Sequence, residues 1–250
     1  MNRLIEGRDM GFARLKKSLS SLLRRLQKNY FNNSRASYSQ CGEDLIIQQL
    51  LTVLGLKNFR YLDVGAHHPS FLSNTYFFYL QGASGVCVEP DPSLFQEFAK
   101  LRPRDVHLNC GVGADSGFAD FFVMSTPTLN TFSSEEATRY AASGNHFVTA
   151  KKQIEIQAIN CIIENNFMCC PNLVSLDIEG WDLIVLNSLD FDRYRPEVFC
   201  IETLSYTEDN SERKLTEIIE FMYQKDYVTY ADTYINTIFV ERSCWENRPS

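Results

Sequence analysis

Two acidic residues follow short apolar runs in the first half of the chain. Asp63 lies in YLDVGAHHP, residues 61–69, and Glu89 lies in VCVEPDP, residues 86–92. Each pattern is typical of a buried strand that ends in a turn, and a βαβ unit holds nucleotide-like ligands at the carboxyl ends of its strands. Ribose hydroxyls need an acceptor at the end of the second strand. The pattern therefore predicts that Glu89 binds a ribose and that Asp63 contacts the same ligand.

The turn after the first strand carries a single glycine. A dinucleotide site is built on G-x-G-x-x-G, because three glycines allow backbone amides and a helix N-terminus to approach a pyrophosphate. In this chain Gly65 is followed by Ala66, His67, His68 and Pro69. The turn therefore disfavours a nicotinamide dinucleotide and an oxidoreductase. It favours an adenosine without a pyrophosphate, and S-adenosylmethionine is the cofactor that we expect.

Further acidic residues end two later apolar runs. Asp177 and Glu179 lie in LDIEGWD, residues 176–182, and Glu202 lies in CIET, residues 200–203. Asp177 and Glu202 each end a predicted strand, so we expect both in the same crevice. Asp177 is a candidate to bind the methionine ammonium of the cofactor or the acceptor. The alternative is that the D-x-E-G acids only stabilise the start of the following helix.

The histidines after the first strand are candidates for acid–base chemistry. Methyl transfer to a hydroxyl requires alignment of the nucleophile, and a base or a metal ion must assist removal of its proton. A histidine pKa near neutrality suits a base, and we favour His67 or His68 in this role. Two alternatives remain: the pair joins Asp177 and Glu202 around a divalent ion, or the pair is structural. We assign no metal ligand.

Alternating strand and helix patterns must position these residues. Strands are predicted at 60–65, 84–89, 106–112, 173–178, 198–202, 227–230 and 237–241, and helices at 44–54, 71–80, 93–101, 181–189 and 212–224. This alternation predicts an α/β fold with a mostly parallel sheet that helices cover on both faces. Residues 231–236 are too few for a crossover, so the last two strands should pair antiparallel.

Residues 113–158 interrupt the alternation. They contain strand-like runs at 118–124 and 153–159, with a short helical stretch between them. A segment of this size outside the sheet is typical of a lid over a functional site. We predict that residues 113–158 form such a lid.

The composition is that of a globular protein with one sizeable core. The chain has 250 residues, of which 44% are hydrophobic and 22% charged. No run of about 18 apolar residues occurs, and the N-terminus lacks the apolar core of a signal peptide, so we expect neither a membrane span nor secretion. The eight cysteines include no C-x-x-C pair. This usage predicts buried free thiols in a reducing compartment and hence a cytoplasmic protein.

Charge divides the chain into a basic leader and an acidic body. Residues 1–37 carry a net charge of +7 and residues 38–250 one of −14. The acidic body argues against a nucleic-acid substrate. Leucines spaced three or four apart among Lys and Arg predict a basic amphipathic helix in the leader, followed by a linker. The helix can pack on the main domain or on a second subunit of a homo-oligomer, attach to an anionic membrane surface, or remain an extension.

Seven segments, taken together, point to one family. They are 38–44 (YSQCGED), 62–69 (LDVGAHHP), 73–75 (SNT), 88–92 (VEPDP), 109–113 (NCGVG), 129–132 (LNTF) and 176–183 (LDIEGWDL). In this order and spacing they resemble the FkbM-type S-adenosylmethionine-dependent methyltransferases. The resemblance covers residues 38–242 and leaves the leader outside. It therefore divides the chain into a leader, 1–37, and a methyltransferase domain, 38–250.

The resemblance implies a Rossmann-like sheet of seven strands, mostly parallel with one antiparallel strand. It also implies methyl transfer, usually to a hydroxyl oxygen, and we expect a sugar, a glycan or another small metabolite as acceptor. The alternative is a non-catalytic descendant that binds a ligand or partner. The residues expected at the cofactor are Gln40, Asp63, Gly65, Ala66, Asn74, Glu89, Pro90, Gly111, Val112 and Asp177. Those expected at the acceptor are His68, Asn130, Thr131, Glu179 and Trp181.

Two of these assignments have a structural alternative. Residues 38–44 can cap the first helix, or they can fold over the cofactor with Gln40 at its polar end. Residues 109–113 can contact the adenine edge, or their glycines can serve only the turn.

Overall fold

The computed structural model describes residues 35–205 and 212–249. One compact unit spans Ser37–Ser250. The predicted basic amphipathic helix falls within residues 1–34 and so lies outside the described residues. In the part of the chain that the structure describes, every helix is too short or too polar to span a bilayer.

Ten strands and nine helices are described. The strands are β1 (Arg60–Val64), β2 (Ser84–Val88), β3 (Val106–Leu108), β4 (Gly111–Gly113), β5 (Gly117–Met124), β6 (Val148–Ala158), β7 (Leu173–Leu176), β8 (Val198–Glu202), β9 (Tyr227–Asp232) and β10 (Asn236–Glu241). The helices are α1 (Glu43–Val53), α2 (Tyr76–Leu80), α3 (Pro92–Phe95), α4 (Phe98–Leu101), α5 (Ser134–Ala142), α6 (Ile159–Asn166), α7 (Asp182–Ser188), α8 (Thr216–Gln224) and α9 (Arg242–Glu246). A 3-10 turn occupies Pro127–Leu129.

Seven strands form the central sheet, in the order β3-β2-β1-β7-β8-β10-β9. The pairs β1·β2, β1·β7, β2·β3 and β7·β8 are parallel. Strand β10 runs antiparallel to both β8 and β9. The prediction of a mostly parallel seven-stranded sheet with one antiparallel strand is confirmed, as is the antiparallel pairing of the last two strands.

Alternate side chains of each strand enter two apolar layers, one on each face of the sheet. Leu62 and Val64 pack with residues of α6, α7 and α8 on one face. Tyr61 packs with residues of α1 and α2 on the other. Because β1 is buried on both faces, its sequence is apolar apart from Arg60 and Asp63. The side chain of Asp63 therefore points to the same face as that of Tyr61.

The predicted third strand, 106–112, is divided between two sheets. It leaves the central sheet after Leu108, because the Asn109 side chain turns back and donates to the backbone carbonyls of Glu89 (2.8 Å) and Pro90 (3.2 Å). The chain then re-enters a sheet at Gly111, which pairs with Ile156. The prediction of a single strand at 106–112 was therefore wrong.

The helices predicted at 71–80, 93–101 and 212–224 differ from the observed ones in length or number, and two helices, α6 and α9, were not predicted. The helix predicted at 71–80 begins at Tyr76, because Leu72 has φ 54° and the Ser73 hydroxyl accepts the backbone N–H of Tyr76. The segment 93–101 forms two short helices, α3 and α4, and Asp91 caps the first by accepting the Ser93 N–H at 3.0 Å. Helix α6 was not predicted, because its apolar spacing follows directly on β6.

The insert folds as a small sheet with the order β4-β6-β5. Strand β6 pairs parallel with β4 and antiparallel with β5. Met124, Leu129, Ala137 and Tyr140 form an apolar cluster under α5. The insert therefore has its own small core, joined to the central sheet through β4 and α6.

All eight cysteines lie in the described ranges and are free thiols. Cys87, Cys110 and Cys200 are buried, whereas Cys41, Cys161 and Cys169 are exposed. The prediction of buried thiols is therefore correct for some of the cysteines and wrong for the exposed ones.

Candidate active site

A cavity of about 260 Å³ lies at the carboxyl ends of β1, β2, β7 and β8. Parallel strands place their carboxyl ends at one edge of a sheet, and this edge is where open α/β folds bind ligands. The insert supplies the opposite wall through Phe121, Leu129 and Phe132. Nine of the predicted site residues line the cavity: Gln40, Gly65, His67, Glu89, Pro90, Asn130, Asp177, Glu179 and Glu202.

Glu89 follows β2 and is fixed by the backbone around it. One carboxylate oxygen accepts the His67 N–H at 2.8 Å, and the other accepts the Asp91 N–H at 2.7 Å. Burial raises the pKa of Glu89 to about 8, and the Asp91 and Asp63 charges act in the same direction against the two amide donors. Each oxygen retains a free lone pair. The carboxylate is thus held in place beside the cavity and can accept two more hydrogen bonds.

Gly65 is required by the close approach of β1 to β7. It has φ 76°, and a Cβ atom at this position would lie 1.8 Å from the backbone oxygen of Asp177. The Asp177 N–H donates to the Val64 carbonyl at 3.1 Å, which locks the two strand ends together. The sequence predicted Gly65 as a cofactor contact. The structure adds that a side chain at this position would displace Asp177.

Asp177 and Glu202 end neighbouring parallel strands. Leu176 and Ile201, the residues before them, are register partners in β7 and β8. One oxygen of each carboxyl group lies within 4.8 Å of the other, and their mutual hydrogen bond lowers the pKa of Asp177 and raises that of Glu202. Burial raises the pKa of Asp177 to about 7, and the Asp182 charge adds to this effect. Burial and the Asp177 charge also raise the pKa of Glu202. The two groups therefore share one proton near neutral pH.

Glu179 completes a group of three carboxyl groups. One oxygen from each of Asp177, Glu179 and Glu202 lies within 4.8 Å of the others, a spacing that can hold a metal ion. Burial and the Asp177 charge raise the pKa of Glu179. The described residues that line the cavity include four carboxyl groups and neither lysine nor arginine.

The acid at the start of α7 is Asp182. Its carboxylate accepts the N–H groups of Ile178 (3.2 Å) and Gly180 (3.3 Å). Burial raises the pKa of Asp182 to about 6. The role that the sequence offered as an alternative for Asp177 and Glu179, stabilising the helix start, thus belongs to Asp182.

The two histidines are in different places. His67 lines the cavity. Burial lowers the pKa of His67, His68 adds to this effect, and Asp91 opposes it. The His68 Nδ1 atom accepts the N–H groups of Ser70 (3.1 Å) and Phe71 (3.0 Å), which makes its neutral form the Nε2–H tautomer. His68 does not line the cavity, and its ring holds the turn after β1. Of the two, only His67 faces the cavity.

Asp63 belongs to a buried network that the sequence did not reveal. Its carboxylate accepts the Thr75 hydroxyl and lies 3.7 Å from the Arg102 guanidinium. Arg102 is fully buried and also pairs with Asp105 at 2.7 Å. The Tyr61 hydroxyl donates to the same Asp105 carboxylate at 2.9 Å. The network ties α4 and α2 to β1 behind the cavity. Its only sequence signal is the i,i+3 spacing of Arg102 and Asp105.

Six other predicted residues lie close to the site without lining the cavity. Asn74 donates to the Ser175 hydroxyl at 3.1 Å, and Trp181 packs on Phe132 with ring centroids 5.1 Å apart. These two residues therefore support the walls. The residues outside the lining, besides Asp63 and His68, are Ala66, Asn74, Gly111, Val112, Thr131 and Trp181.

The segment that carries Gln40 is held by the two acids that follow it. The Asp44 carboxylate accepts the Tyr38 N–H at 2.7 Å and the Ser37 hydroxyl at 2.6 Å. Glu43 accepts the Cys41 N–H at 2.8 Å and the Asn236 amide at 3.0 Å. The acids of residues 38–44 therefore anchor the start of α1, and Gln40 lines the cavity, while its contact with the cofactor stays a prediction.

Asn130 joins the insert wall to the cofactor side of the cavity. Its amide oxygen accepts the Met124 N–H at 2.8 Å, and its amide nitrogen donates to Asp91 at 3.1 Å. Asp91 in turn donates its backbone N–H to Glu89. This chain of bonds fixes the insert relative to β2.

Sequence comparison identifies the family. The model of the methyltransferase FkbM domain matches residues 63–229, so the chain belongs to this family. The match confirms the resemblance to this family, and it begins after the first of the seven motifs, residues 38–44. A comparison with curated proteins found no match.

Three solved methyltransferase structures are similar to this chain at low sequence identity. A TehB-like SAM-dependent methyltransferase from Corynebacterium glutamicum is 10% identical, with a TM-score of 0.42, over 90% of this chain and 99% of that chain. An N1-methyltransferase from Burkholderia thailandensis, solved with 1,6-didemethyltoxoflavin and S-adenosylhomocysteine, is 11% identical, with a TM-score of 0.40, over 90% and 88%. An O-methyltransferase from Bacillus cereus, in complex with S-adenosylhomocysteine, is 14% identical, with a TM-score of 0.39, over 88% and 89%.

Proposed function

We propose that the protein transfers a methyl group from S-adenosylmethionine to a hydroxyl oxygen of a sugar, a glycan or another small metabolite. The observation that carries the proposal is the position of Glu89. This carboxylate, fixed by two backbone amides, opens into the same cavity as the Asp177–Glu202 pair. A ribose acceptor and a candidate base thus share one cavity in a member of the FkbM family.

The residues on the β2 side fit an adenosine. Glu89 would accept the two ribose hydroxyls, because both of its oxygens have a lone pair left. Gly65 keeps the backbone after β1 free of a side chain at the edge of the cavity. Bound S-adenosylmethionine would supply an electrophilic methyl group on a positively charged sulfur, and this charge would favour the ionised forms of the lining carboxyl groups.

The Asp177–Glu202 pair suits the removal of the acceptor proton. With one proton on the pair, Asp177 is ionised and can take a second proton, and a pKa of about 7 matches a base that works near neutral pH. His67 is the alternative base. Its titratable neighbours are His68 and Asp91, and its backbone N–H donates to Glu89, so it lies on the β2 side of the cavity. The pair is therefore the better candidate.

The charge of the cavity restricts the acceptor. The lining of the described cavity has acids without lysine or arginine to balance them. A phosphate or carboxylate on the acceptor would be repelled at close range. The apolar wall of Phe121, Leu129 and Phe132 instead fits the carbon face of a sugar ring or another neutral skeleton.

Two experiments test the proposal. Calorimetry with S-adenosylmethionine, S-adenosylhomocysteine and NAD should show binding of the first two. Binding of NAD alone would overturn the cofactor assignment. A screen of neutral sugars, sugar phosphates and small alcohols with a radiolabelled methyl donor should then transfer label to a neutral acceptor. Repeating the screen with chelator, and with added Mg²⁺, asks whether the three carboxyl groups act through a metal ion. Cofactor binding without any transfer would favour the non-catalytic alternative.

A further inference from the structure

The insert contacts the turn after β7 through two side chains that meet at Glu179. The Thr131 hydroxyl donates to the Glu179 backbone oxygen at 2.7 Å. The Tyr140 hydroxyl donates to the Glu179 carboxylate. Thr131 follows the 3-10 turn and Tyr140 lies in α5. Both hydrogen bonds therefore connect the insert to Glu179, a lining residue that follows β7.

The backbone at Glu179 needs such support. Glu179 has φ 51° and Gly180 has φ 100°, so two successive residues are in the left-handed region. This region is unfavourable for a residue with a side chain, and such residues persist when their surroundings hold them. The Thr131 hydroxyl that holds the Glu179 carbonyl also accepts the Ser133 N–H at 2.9 Å. Ser133 caps α5, so the start of this helix is linked directly to the strained turn.

The side chain of Glu179 is surrounded mainly by acids. The titratable groups that act on its carboxyl group are Asp177, Asp182, Glu136 and Tyr140, and Glu202 lies in the same carboxyl group cluster. Arg139 pairs with Glu136 on α5. In this setting the hydrogen bond from Tyr140 lowers the pKa of Glu179, against the larger effect of burial. The same hydrogen bond fixes one carboxylate oxygen of Glu179. The direction of the other oxygen then depends on the position of α5, which carries Tyr140.

We propose that Tyr140 is a positioning residue: through its hydroxyl, the insert sets the orientation of the Glu179 carboxylate in the half of the cavity between the insert and β7, where the acceptor would bind. The inference rests on the proposed function only in placing the acceptor beside Glu179. The contact between Tyr140 and Glu179 is independent of the proposed function. A shift of α5 would therefore move the Glu179 carboxylate, because the Tyr140 hydroxyl joins the two.

A purely structural role is the competing explanation. Tyr140 is 3% exposed and packs with Met124, Leu129 and Ala137. Tyr140→Phe keeps this packing and removes the hydroxyl. Tyr227→Phe is the matched control, because Tyr227 is also buried and loses a hydrogen bond, at 2.7 Å to the Pro196 oxygen, outside the cavity.

The test follows the Glu179 carboxyl carbon by NMR in the full-length protein labelled with [¹³C]glutamate. Glu179→Gln assigns its signal, and the titration is recorded for the wild type and both Tyr→Phe variants. We expect the Glu179 midpoint to rise in Tyr140→Phe and to stay unchanged in Tyr227→Phe. An unchanged midpoint in Tyr140→Phe, or an equal rise in both variants, overturns the proposal.

Calorimetry with S-adenosylhomocysteine on the same three proteins separates this inference from the proposed function. Affinities equal within about twofold are expected, because Tyr140 is not on the Glu89 side of the cavity. A wild type that does not bind S-adenosylhomocysteine contradicts the proposed function, and the NMR titration still decides whether Tyr140 controls Glu179.

Discussion

The carboxyl groups of Asp177 and Glu202 follow two adjacent parallel strands, and one oxygen of each lies within 4.8 Å of the other. Two carboxylates at this distance cannot both be ionised cheaply, so burial and mutual repulsion raise both of their pKa values. The first proton is held firmly, and the second is gained and lost near neutral pH. The pair is therefore a proton acceptor whose capacity depends on pH in the physiological range.

The first prediction concerns the pH dependence of turnover. Asp177 must be ionised to accept a proton, and its pKa is raised to about 7. The rate should therefore rise as pH increases through about 7 and level off above it. Asp177→Asn should lower turnover by about 10²–10⁴-fold and remove this dependence. The measurement is a pH–rate profile with the acceptor found in the methylation screen. A flat profile in the wild type would exclude the pair as base.

The second prediction separates the two histidines from the carboxyl pair. With the pair as base, His67→Ala should reduce turnover by less than about tenfold, within the range of a contact residue. His68→Ala removes the acceptor for two backbone amides, so it should lower stability by about 1–3 kcal/mol while turnover per folded molecule is kept. A loss of 10² or more in His67→Ala alone would make His67 the base.

The third prediction concerns the ribose. Glu89→Gln should weaken S-adenosylhomocysteine by about 1.5–3 kcal/mol, the scale of a lost charge-assisted hydrogen bond. Glu97→Gln, at an exposed residue paired with Lys100, is the control and should bind normally. Calorimetry measures both. An unchanged affinity in folded Glu89→Gln would contradict the ribose assignment.

The fourth prediction follows from the raised pKa of the same residue. The pKa of Glu89 is about 8 in the free protein, so the carboxyl group is largely protonated at pH 7. Ribose hydroxyls donate to the ionised form, so binding should lower the pKa of Glu89, and affinity should rise with pH up to about 8 and level off above it. Adenosine is the suitable probe, because it carries the ribose without an amino-acid group. The dependence should vanish in Glu89→Gln.

The fifth prediction tests the contact between β1 and β7. Gly65→Ala places a methyl group on the Asp177 backbone oxygen, whereas Gly82→Ala meets nothing within 4 Å although its φ of 97° is equally unusual. Gly82→Ala should cost about 1–2 kcal/mol for the left-handed backbone. Gly65→Ala should cost about 1–3 kcal/mol more, because the strand ends must separate. Chemical denaturation of both variants measures the difference, and equal losses would show that the strand ends are not tightly held.

The residues at strand ends were the predictable part of the site. Glu89, Asp177 and Glu202 each follow an apolar run, and parallel strands bring such positions to one edge. The seven-stranded sheet was predictable for the same reason, since buried strands and helices alternate along the chain. These inferences need only local patterns and one rule of topology.

The orientation of individual side chains was not predictable. Asp63 was expected at the cofactor, but the alternation along β1 turns its side chain to the face of Tyr61, where it lies near Arg102. The partner is 39 residues away in sequence, and no local pattern announces a buried arginine. The sequence does not distinguish the adjacent residues His67 and His68. In the fold the φ of 49° at His67 turns the chain between them, so that they have different surroundings. The division of the third strand likewise depends on a distant partner, Ile156.

The parallel ladder between β4 and β6 has a practical consequence. Gly113, where the insert departs, and Ala158, where it returns, are register partners. A segment with adjacent ends can be exchanged for another of different length at small entropic cost. The insert, which forms one wall of the cavity, can therefore be replaced as a unit. Grafting the corresponding segment of a relative between these two residues is a direct way to change selectivity while the sheet and its acidic edge stay as they are.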